Sequence, residues 1–391
     1  MKDIKGLIIT HRGMEDVAAR EIEEILKAKS QINDMCVSFG VKELTDLCRL
    51  CYLSQSASRI LFLLDDFKIS ADFEETTKII EPRLEKLKLG EWISKETRFK
   101  VECRREGKHD FTSQTLAEWL ADKLGSKIKA DCKLEPTADL KDPNLIFYVL
   151  VVNDNLYFGI DLAGFELGKR DYKIMSHMPS IKGNIGYGLL RIVGYEKKHN
   201  LLDVSSYSGV VPIEAAIYAT ERPINYYRKS ELHFPKFPNL KSIDFERFFG
   251  EIDKKIKDKA EGEIHCLNNH FRYISAAKTN SKIAGVNKNI SFSRFDVEWL
   301  DTKFGKNSID IMASNSPRIS STNGKIVERY YNELFYQANY VLKKEGKIGL
   351  LTNSLDLIRA AAQKSKFRAV GERSIWQGEE ELKLAVFEKS P

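Results

Sequence analysis

From Leu201 onward the chain alternates short apolar runs with amphipathic helical stretches, and this alternation constrains the fold more than any single residue. "LLDVSS" precedes "VPIEAAIYA", "IHCLNN" precedes "FRYISAAKTNSKIAG", "SIDIMASN" precedes "IVERYYNELFYQANYVLKK", and "KIGLLTN" precedes "LDLIRAAAQKS". Strands separated by whole helices cannot be joined by tight turns, so they lie parallel, with the helices covering both faces. The expectation is a parallel, doubly wound α/β sheet. Such sheets bind ligands outside the carboxyl ends of their strands, where the strand order reverses. The turn that follows Asp203 is the first such end.

The first 168 residues keep a different rhythm. "GLIIT" reads as a strand and "GMEDVAAREIEEILKA" as a helix, with Val17, Ala18, Ile22, Ile25 and Leu26 at helical spacing. "MCVSFG" is a second strand, and "KELTDLCRLCYLSQSASRILFLLDDF" a helix followed by a buried strand. "TRFKVEC" is a strand that enters a basic turn, Arg104, Arg105, Lys108 and His109. The helix beyond it is capped by Thr112 or Ser113 and closed by Gly125. "PNLIFYVLVVNDNLYFGIDLAG" is a hairpin with an Asn-Asp-Asn turn. This half is a mixed α+β region that ends near Gly168. A polar, aromatic-rich stretch between Arg222 and Gly262 reads as an insertion over the ligand edge of the second sheet. Within it Tyr226, Tyr227, Arg228 and Lys229 mix rings with cations, a pattern that suits single-strand binding and packing equally.

A length of 391 residues exceeds one ordinary core, so two or three domains are expected. The longest apolar runs, "RILFLLDDF" and "NLIFYVLVV", fall far short of the roughly 20 residues of a membrane helix. No cleavage signal follows the start, and the expectation is a cytoplasmic protein. The six cysteines are scattered, which fits a reducing compartment. Cys48 and Cys51 lie one helical turn apart on an apolar face and are expected in the core; no metal is expected. A formal charge of +6 is a mild excess that by itself implies no partner.

"GLIITHRGMEDVAAREIEEI", followed by "VSFGVKELTDLCRLCYLSQSASRIL", resembles the N-terminal ferredoxin-like region of RNA methyltransferases that carry a THUMP domain. "FKVECRREGKHDFTSQTLAEWLADKLG", through "NLYFGIDLAGFELGKRDYK", is similar to the THUMP domain itself. The resemblance covers nearly the whole chain. It implies a ferredoxin-like region at 1–65, a THUMP RNA-binding domain at 66–168 and a Rossmann-like class I methyltransferase domain at 169–391. It also implies S-adenosylmethionine as cofactor and structured RNA, above all tRNA, as partner, gripped in part by Arg104, Arg105, Lys108 and His109.

The family's first motif, Asp-Pro-x-Cys-Gly-Ser-Gly-Thr followed by Ile-Glu-Ala, stands here as Asp203 to Val210 and then Ile213, Glu214 and Ala215. Tyr207 replaces a glycine and Val210 the threonine. The resemblance places Asp203, Ser208, Gly209, Asn268 and Asp296 against the cofactor. Asn268 stands where relatives carry the acid that grips the ribose, a loss of roughly 1 to 2 kcal/mol, or about tenfold in affinity. The ring of Tyr207 must swing clear or fill the cofactor's place, so weak binding is expected. Glu214 is expected to support the first helical turn.

The family's fourth motif, Asn-[Leu/Pro]-Pro-Tyr, is Asn315, Ser316, Pro317 and Arg318. It implies that Asn315 and the Ser316 carbonyl accept the two protons of an exocyclic amine such as guanine N2, with Arg318 stacking in place of tyrosine. On residue chemistry alone Asp203 and Asn315 read first as cap or turn residues, and the resemblance reverses that order. The resemblance implies methyl transfer to guanine N2 of tRNA. Tyr207, Val210, Asn268 and Arg318 support an alternative: a protein that binds structured RNA as a chaperone or partner subunit without methylating it.

Overall fold

The structure, a computed structural model, describes residues 4–390, and the chain divides into two compact units. The first comprises the chain up to Thr10, Ala18–Leu167 and Asn225–Ile252. Its elements are β1 (Ile4–Ile9), α1 (Glu15–Leu26), β2 (Ser30–Asn33), β3 (Cys36–Val41), α2 (Leu44–Leu53), β4 (Arg59–Lys68), α3 (Phe73–Lys86), β5 (Arg98–Glu106), α4 (Ser113–Cys132), β6 (Thr137–Ala138), β7 (Leu145–Val152) and β8 (Asn155–Asp161). All eight strands form one sheet in the order β2-β3-β1-β4-β8-β7-β5-β6. The expected 65/66 junction lies inside β4, which pairs with β1 on one side and β8 on the other.

The start of α4 follows local propensity and its end yields to packing. Thr112 caps it as expected, its side chain accepting a hydrogen bond from the Thr115 N–H. Gly125 does not close it; the helix continues to Cys132 and ends at Lys133, φ 54°. Leu116, Leu120, Leu124 and Ile128 repeat every fourth residue and are all buried. That stripe outweighs the roughly 1 kcal/mol that a mid-helix glycine costs. Cys48 and Cys51 are buried in this core, and burial pushes both thiols well above their ordinary range.

The second unit comprises His11–Val17, Gly168–Ile224 and the chain from Asp253. It begins with α5 (Gly183–Val193), β9 (Leu201–Asp203) and α6 (Val210–Ala219). After the excursion at 225–252, which carries most of α7 (Phe245–Asp253), come β10 (Ile264–Asn268), α8 (Phe271–Ile283), β11 (Ser291–Arg294), α9 (Leu300–Lys303), β12 (Ile309–Asn315), α10 (Gly324–Val341), β13 (Leu342–Thr352), α11 (Leu355–Lys364), β14 (Phe367–Gln377) and β15 (Glu380–Lys389). The sheet order is β11-β10-β9-β12-β13-β15-β14. The first five strands are parallel, as the alternation predicts. The last two form an antiparallel hairpin that the sequence reading lacks, so the sheet is mixed. Among the described residues no helix is long and apolar enough to cross a membrane.

The stretch expected to cover the second sheet's ligand edge packs in the first unit instead. Leu232, Phe234, Phe237, Leu240, Phe249 and Ile252 join the core that holds Tyr52 and Trp92. Burying this aromatic content outweighs the polar composition that reads as a surface insertion. The cations beside it are used locally: Arg228 lies 3.6 Å over the Phe165 ring and Lys229 4.5 Å over Tyr226. That is the packing alternative for the Tyr226–Lys229 cluster.

Candidate active site

Three strands of the second unit end side by side. β9 ends at Asp203, flanked by β10, which ends at Asn268, and β12, which ends at Asn315. The strand order reverses here, because β10 and β12 leave β9 in opposite directions. The β9–α6 turn stands above these ends with a cavity on either side. The larger, about 260 Å³, is lined by Asn268, His270, Tyr273, Phe295, Asp296 and Tyr330. The smaller, about 10 Å³, is lined by Pro179, Ser180, Asp203, Ser208 and Asn315 and has room for about one water. Tyr207 lines both, so its ring partitions the site. It stands edge-on to Tyr273 with centroids 5.0 Å apart.

Replacing the motif's glycine by Tyr207 leaves the turn unstrained. Positive φ falls instead on Gly209, at 79°, where an added Cβ would come within 2.8 Å of the Ala277 Cβ. Gly209 is therefore the position that needs glycine, for conformation and for the approach of α8.

Asp203 is buried, and its Oδ1 accepts hydrogen bonds from the Ser205 N–H at 3.1 Å and the Ser314 hydroxyl at 2.8 Å. Burial outweighs those bonds and pushes the carboxyl up to about 6, leaving it mostly ionised at neutral pH. Asn268 is a strut: Oδ1 accepts from the His270 N–H at 2.9 Å and Nδ2 donates to the Ser206 carbonyl at 3.2 Å. Asp296 caps the turn at Val297–Trp299, accepting from the Glu298 N–H at 3.2 Å, and its other oxygen accepts from Asn269 at 3.4 Å.

Asn315 has a defined orientation. Its Nδ2 donates to the Pro179 carbonyl at 3.2 Å, which leaves Oδ1 as the accepting corner of the amide. Ser316 is held by its N–H on the Leu351 carbonyl at 2.9 Å, and the Pro317 carbonyl accepts from the Tyr331 hydroxyl at 3.0 Å. Arg318 is paired with Glu380, so its guanidinium is committed to an ion pair rather than presented as a stacking surface.

A strap, residues 173–181, runs beside the smaller cavity and is fixed at several points. Asn280, fully buried on α8, accepts from the Met175 N–H at 3.0 Å and donates to the Met175 carbonyl at 2.9 Å and the Ser208 carbonyl at 2.8 Å. The Ser208 hydroxyl accepts from the His177 N–H at 3.2 Å, and Lys173 donates to the Ile181 carbonyl at 2.8 Å. At the strap's base Arg170 pairs with Glu214 at 2.8 Å, and the Tyr172 hydroxyl donates to the same carboxylate at 2.7 Å. Glu214 thus ties α6 to the strap, a wider task than supporting its own helical turn. Ser180 contributes a buried hydroxyl with no hydrogen-bond partner among the described residues. Sequence reasoning did not find Asn280, Ser314 or Ser180, and the local sequence does not mark them: Asn280 sits among Lys278, Thr279, Ser281 and Lys282.

The basic turn lies in the first unit. Arg104 pairs with Glu106 at 3.1 Å. Arg105 donates to the Gly107 carbonyl and meets His109 Nδ1, both at 2.9 Å, while His109 Nε2 contacts the Asn153 carbonyl at 2.8 Å. Arg105 and His109 therefore brace the turn, and Lys108 is the exposed cation at its tip.

Comparison with known proteins agrees with this layout. The RMKL-like methyltransferase domain matches residues 170–381, more than half of the chain, and the THUMP domain matches residues 74–161. The tRNA (guanine(6)-N2)-methyltransferase of Methanocaldococcus jannaschii is 26% identical over 382 residues, covering 94% of this chain and 95% of that protein. That of Archaeoglobus fulgidus is 23% identical over 386 residues, covering 96% and 90%. TrmN from Thermus thermophilus shares the fold with a TM-score of 0.71 at 19% identity, covering 99% of both chains. SMU.472, solved in complex with SAH, does so at 0.81 and 19%, covering 100% of both. The chain belongs to the RMKL-like methyltransferase family and carries a THUMP domain ahead of its methyltransferase domain.

Proposed function

We propose that the chain methylates the exocyclic N2 of a guanine in tRNA, at position 6 as in the archaeal relatives' names, using S-adenosylmethionine. The observation that carries this reading is the orientation of Asn315. With Nδ2 on the Pro179 carbonyl, Oδ1 is left to accept a proton from an amine beside the cavity. A guanine amine is a poor nucleophile because its lone pair is delocalised into the ring. Asn315 Oδ1 and the Ser316 carbonyl, accepting its two protons, localise that lone pair and aim it.

The cofactor's donor set fits in two parts. The larger cavity suits an adenosine, with Asp296 and Asn268 at its polar edge and Phe295 and Tyr273 at its walls. On the smaller side, Asp203, Ser208 and the unpartnered Ser180 hydroxyl suit the methionine end, once the Tyr207 ring turns aside. When bound, the cofactor supplies a methyl group on a cationic sulfur. The ionised Asp203 carboxylate favours a cation there.

The THUMP half supplies RNA affinity, with Lys108 as a phosphate contact, and the reaction belongs with tRNA in the cytoplasm. The binding-only alternative rests on Tyr207, Val210, Asn268 and Arg318, and relatives covered over nearly their whole length that bear methyltransferase names disfavour it. The test is methyl incorporation into tRNA. Asn315→Ala should abolish it while calorimetry shows cofactor affinity within about twofold, because the side chain acts on the amine. Wild-type turnover in Asn315→Ala would overturn the assignment.

A further inference from the structure

We propose that Met178 is a wedge that fills the gap left in the RNA stack when the target guanine turns out of its helix. The inference rests on the methylation reading above and names a substrate contact of that same site. It begins from an exposure that folding does not explain. Met178 is 81% exposed, and Ile174 and Met175 in the same strap are 62% and 43% exposed. The strap's backbone is nonetheless pinned, at Met175 by Asn280, at His177 by Ser208 and at Pro179 by Asn315. A segment this constrained holds an apolar side chain in water with no packing gained in the free protein.

Its position gives the exposure a use. Met178 directly precedes Pro179, whose carbonyl orients the amine-accepting Asn315. A guanine at tRNA position 6 lies in the acceptor helix, with N2 engaged by its partner base, so neither Asn315 nor the cofactor can reach it in place. Extrusion leaves a hole between neighbouring base pairs, and proteins that open base steps insert apolar side chains into such gaps. Methionine is suited to this: it is unbranched, polarisable and able to lie flat against a base. The need is sharpened at Arg318, where relatives place a stacking tyrosine and this chain has an arginine paired with Glu380. With that ring missing, support for the extruded state has to come from another side of the site, and the strap is the adjacent element.

The test uses full-length protein and a tRNA carrying 2-aminopurine in place of guanine 6, which brightens on leaving the stack. Wild type should brighten it. Met178→Ala should lose the signal by roughly fivefold or more at saturating protein with tRNA affinity within about twofold, and Met178→Leu should restore most of it. On unmodified tRNA, Met178→Ala should slow single-turnover methylation by about tenfold, yet by no more than about twofold when the nucleotide opposite guanine 6 is abasic. Equal brightening by Met178→Ala, or an equal rate loss on both RNAs, would overturn the wedge. Wild-type brightening without methyl transfer would keep the wedge and overturn the enzymatic reading; methyl transfer with undiminished brightening by Met178→Ala would overturn the wedge alone.

Discussion

Tyr207 stands where the family motif has glycine, and it does so with an ordinary backbone conformation. Its effect is therefore steric, and Tyr207→Ala removes the ring without the added chain entropy of glycine. S-adenosylmethionine should bind that variant about tenfold tighter, measured by calorimetry. Unchanged affinity would place the ring outside the cofactor's path. The companion change Asn268→Asp is predicted to fail as a repair. An aspartate cannot donate to the Ser206 carbonyl, so it loses the strut and sets a charge against that oxygen, a loss of roughly 1 to 3 kcal/mol in stability. Asp203 predicts a pH signature. With its carboxyl at about 6, acidification from pH 7 to 5 neutralises the carboxylate that the proposed cofactor pose sets near the cation and should weaken binding by up to about tenfold. Asp203→Asn should flatten that profile. Stability moves the other way: the folded-state value lies above the unfolded one of about 4, so this group's contribution is full below pH 4 and lost as pH rises through 6. The sequence shows which residues end the three strands, because motif spacing survives substitution. It does not show that Asn268 and Arg318 are committed to other partners, because those partners, Ser206 and Glu380, are chosen by geometry between separate elements.

At the level of elements, periodicity made β9, β10, β12 and β13 and the helices that follow them legible, whereas the C-terminal hairpin was not. β14 has a mostly exposed burial pattern and carries no apolar run, and the buried run of its partner β15, Leu384–Phe387, is only four residues long between charged neighbours. α3 escaped for a related reason: Pro82 sits inside it, and only Thr76, Ile80 and Leu84 are buried. Two predictions belong here. Asn280→Ala unpins the strap from α8 by removing the three hydrogen bonds of a buried side chain and should lower unfolding free energy by about 3 kcal/mol, read from a denaturant midpoint at unchanged m-value. A loss below about 0.5 kcal/mol would mean that the strap is held elsewhere. In the basic turn Lys108→Ala should reduce the salt-dependence slope of tRNA binding by about 1, as one phosphate contact is lost, with no change in stability. Arg105→Ala should instead destabilise the turn it braces, so the two variants separate contact from scaffold.

For the whole molecule the two units do not simply follow one another along the chain. Residues 11–17 from the front half belong to the second unit, and residues 225–252 from the back half complete the first. A fragment ending at Leu167 would lack Phe234, Phe237, Leu240, Phe249 and Ile252 from its core. Such a fragment is expected to keep far-UV signal but lose near-UV signal and bind a hydrophobic dye; a cooperative unfolding transition in it would refute the dependence. The exchange also sets a clock on biosynthesis. The RNA-binding half cannot consolidate until Ile252 has been synthesised, 85 residues after Leu167, a wait of roughly 4 to 17 s at ordinary translation rates. By then β9 and the turn after it have already emerged. A chain truncated anywhere in that interval never acquires a finished first unit, so translation aborted between Leu167 and Ile252 releases no half-protein able to hold RNA.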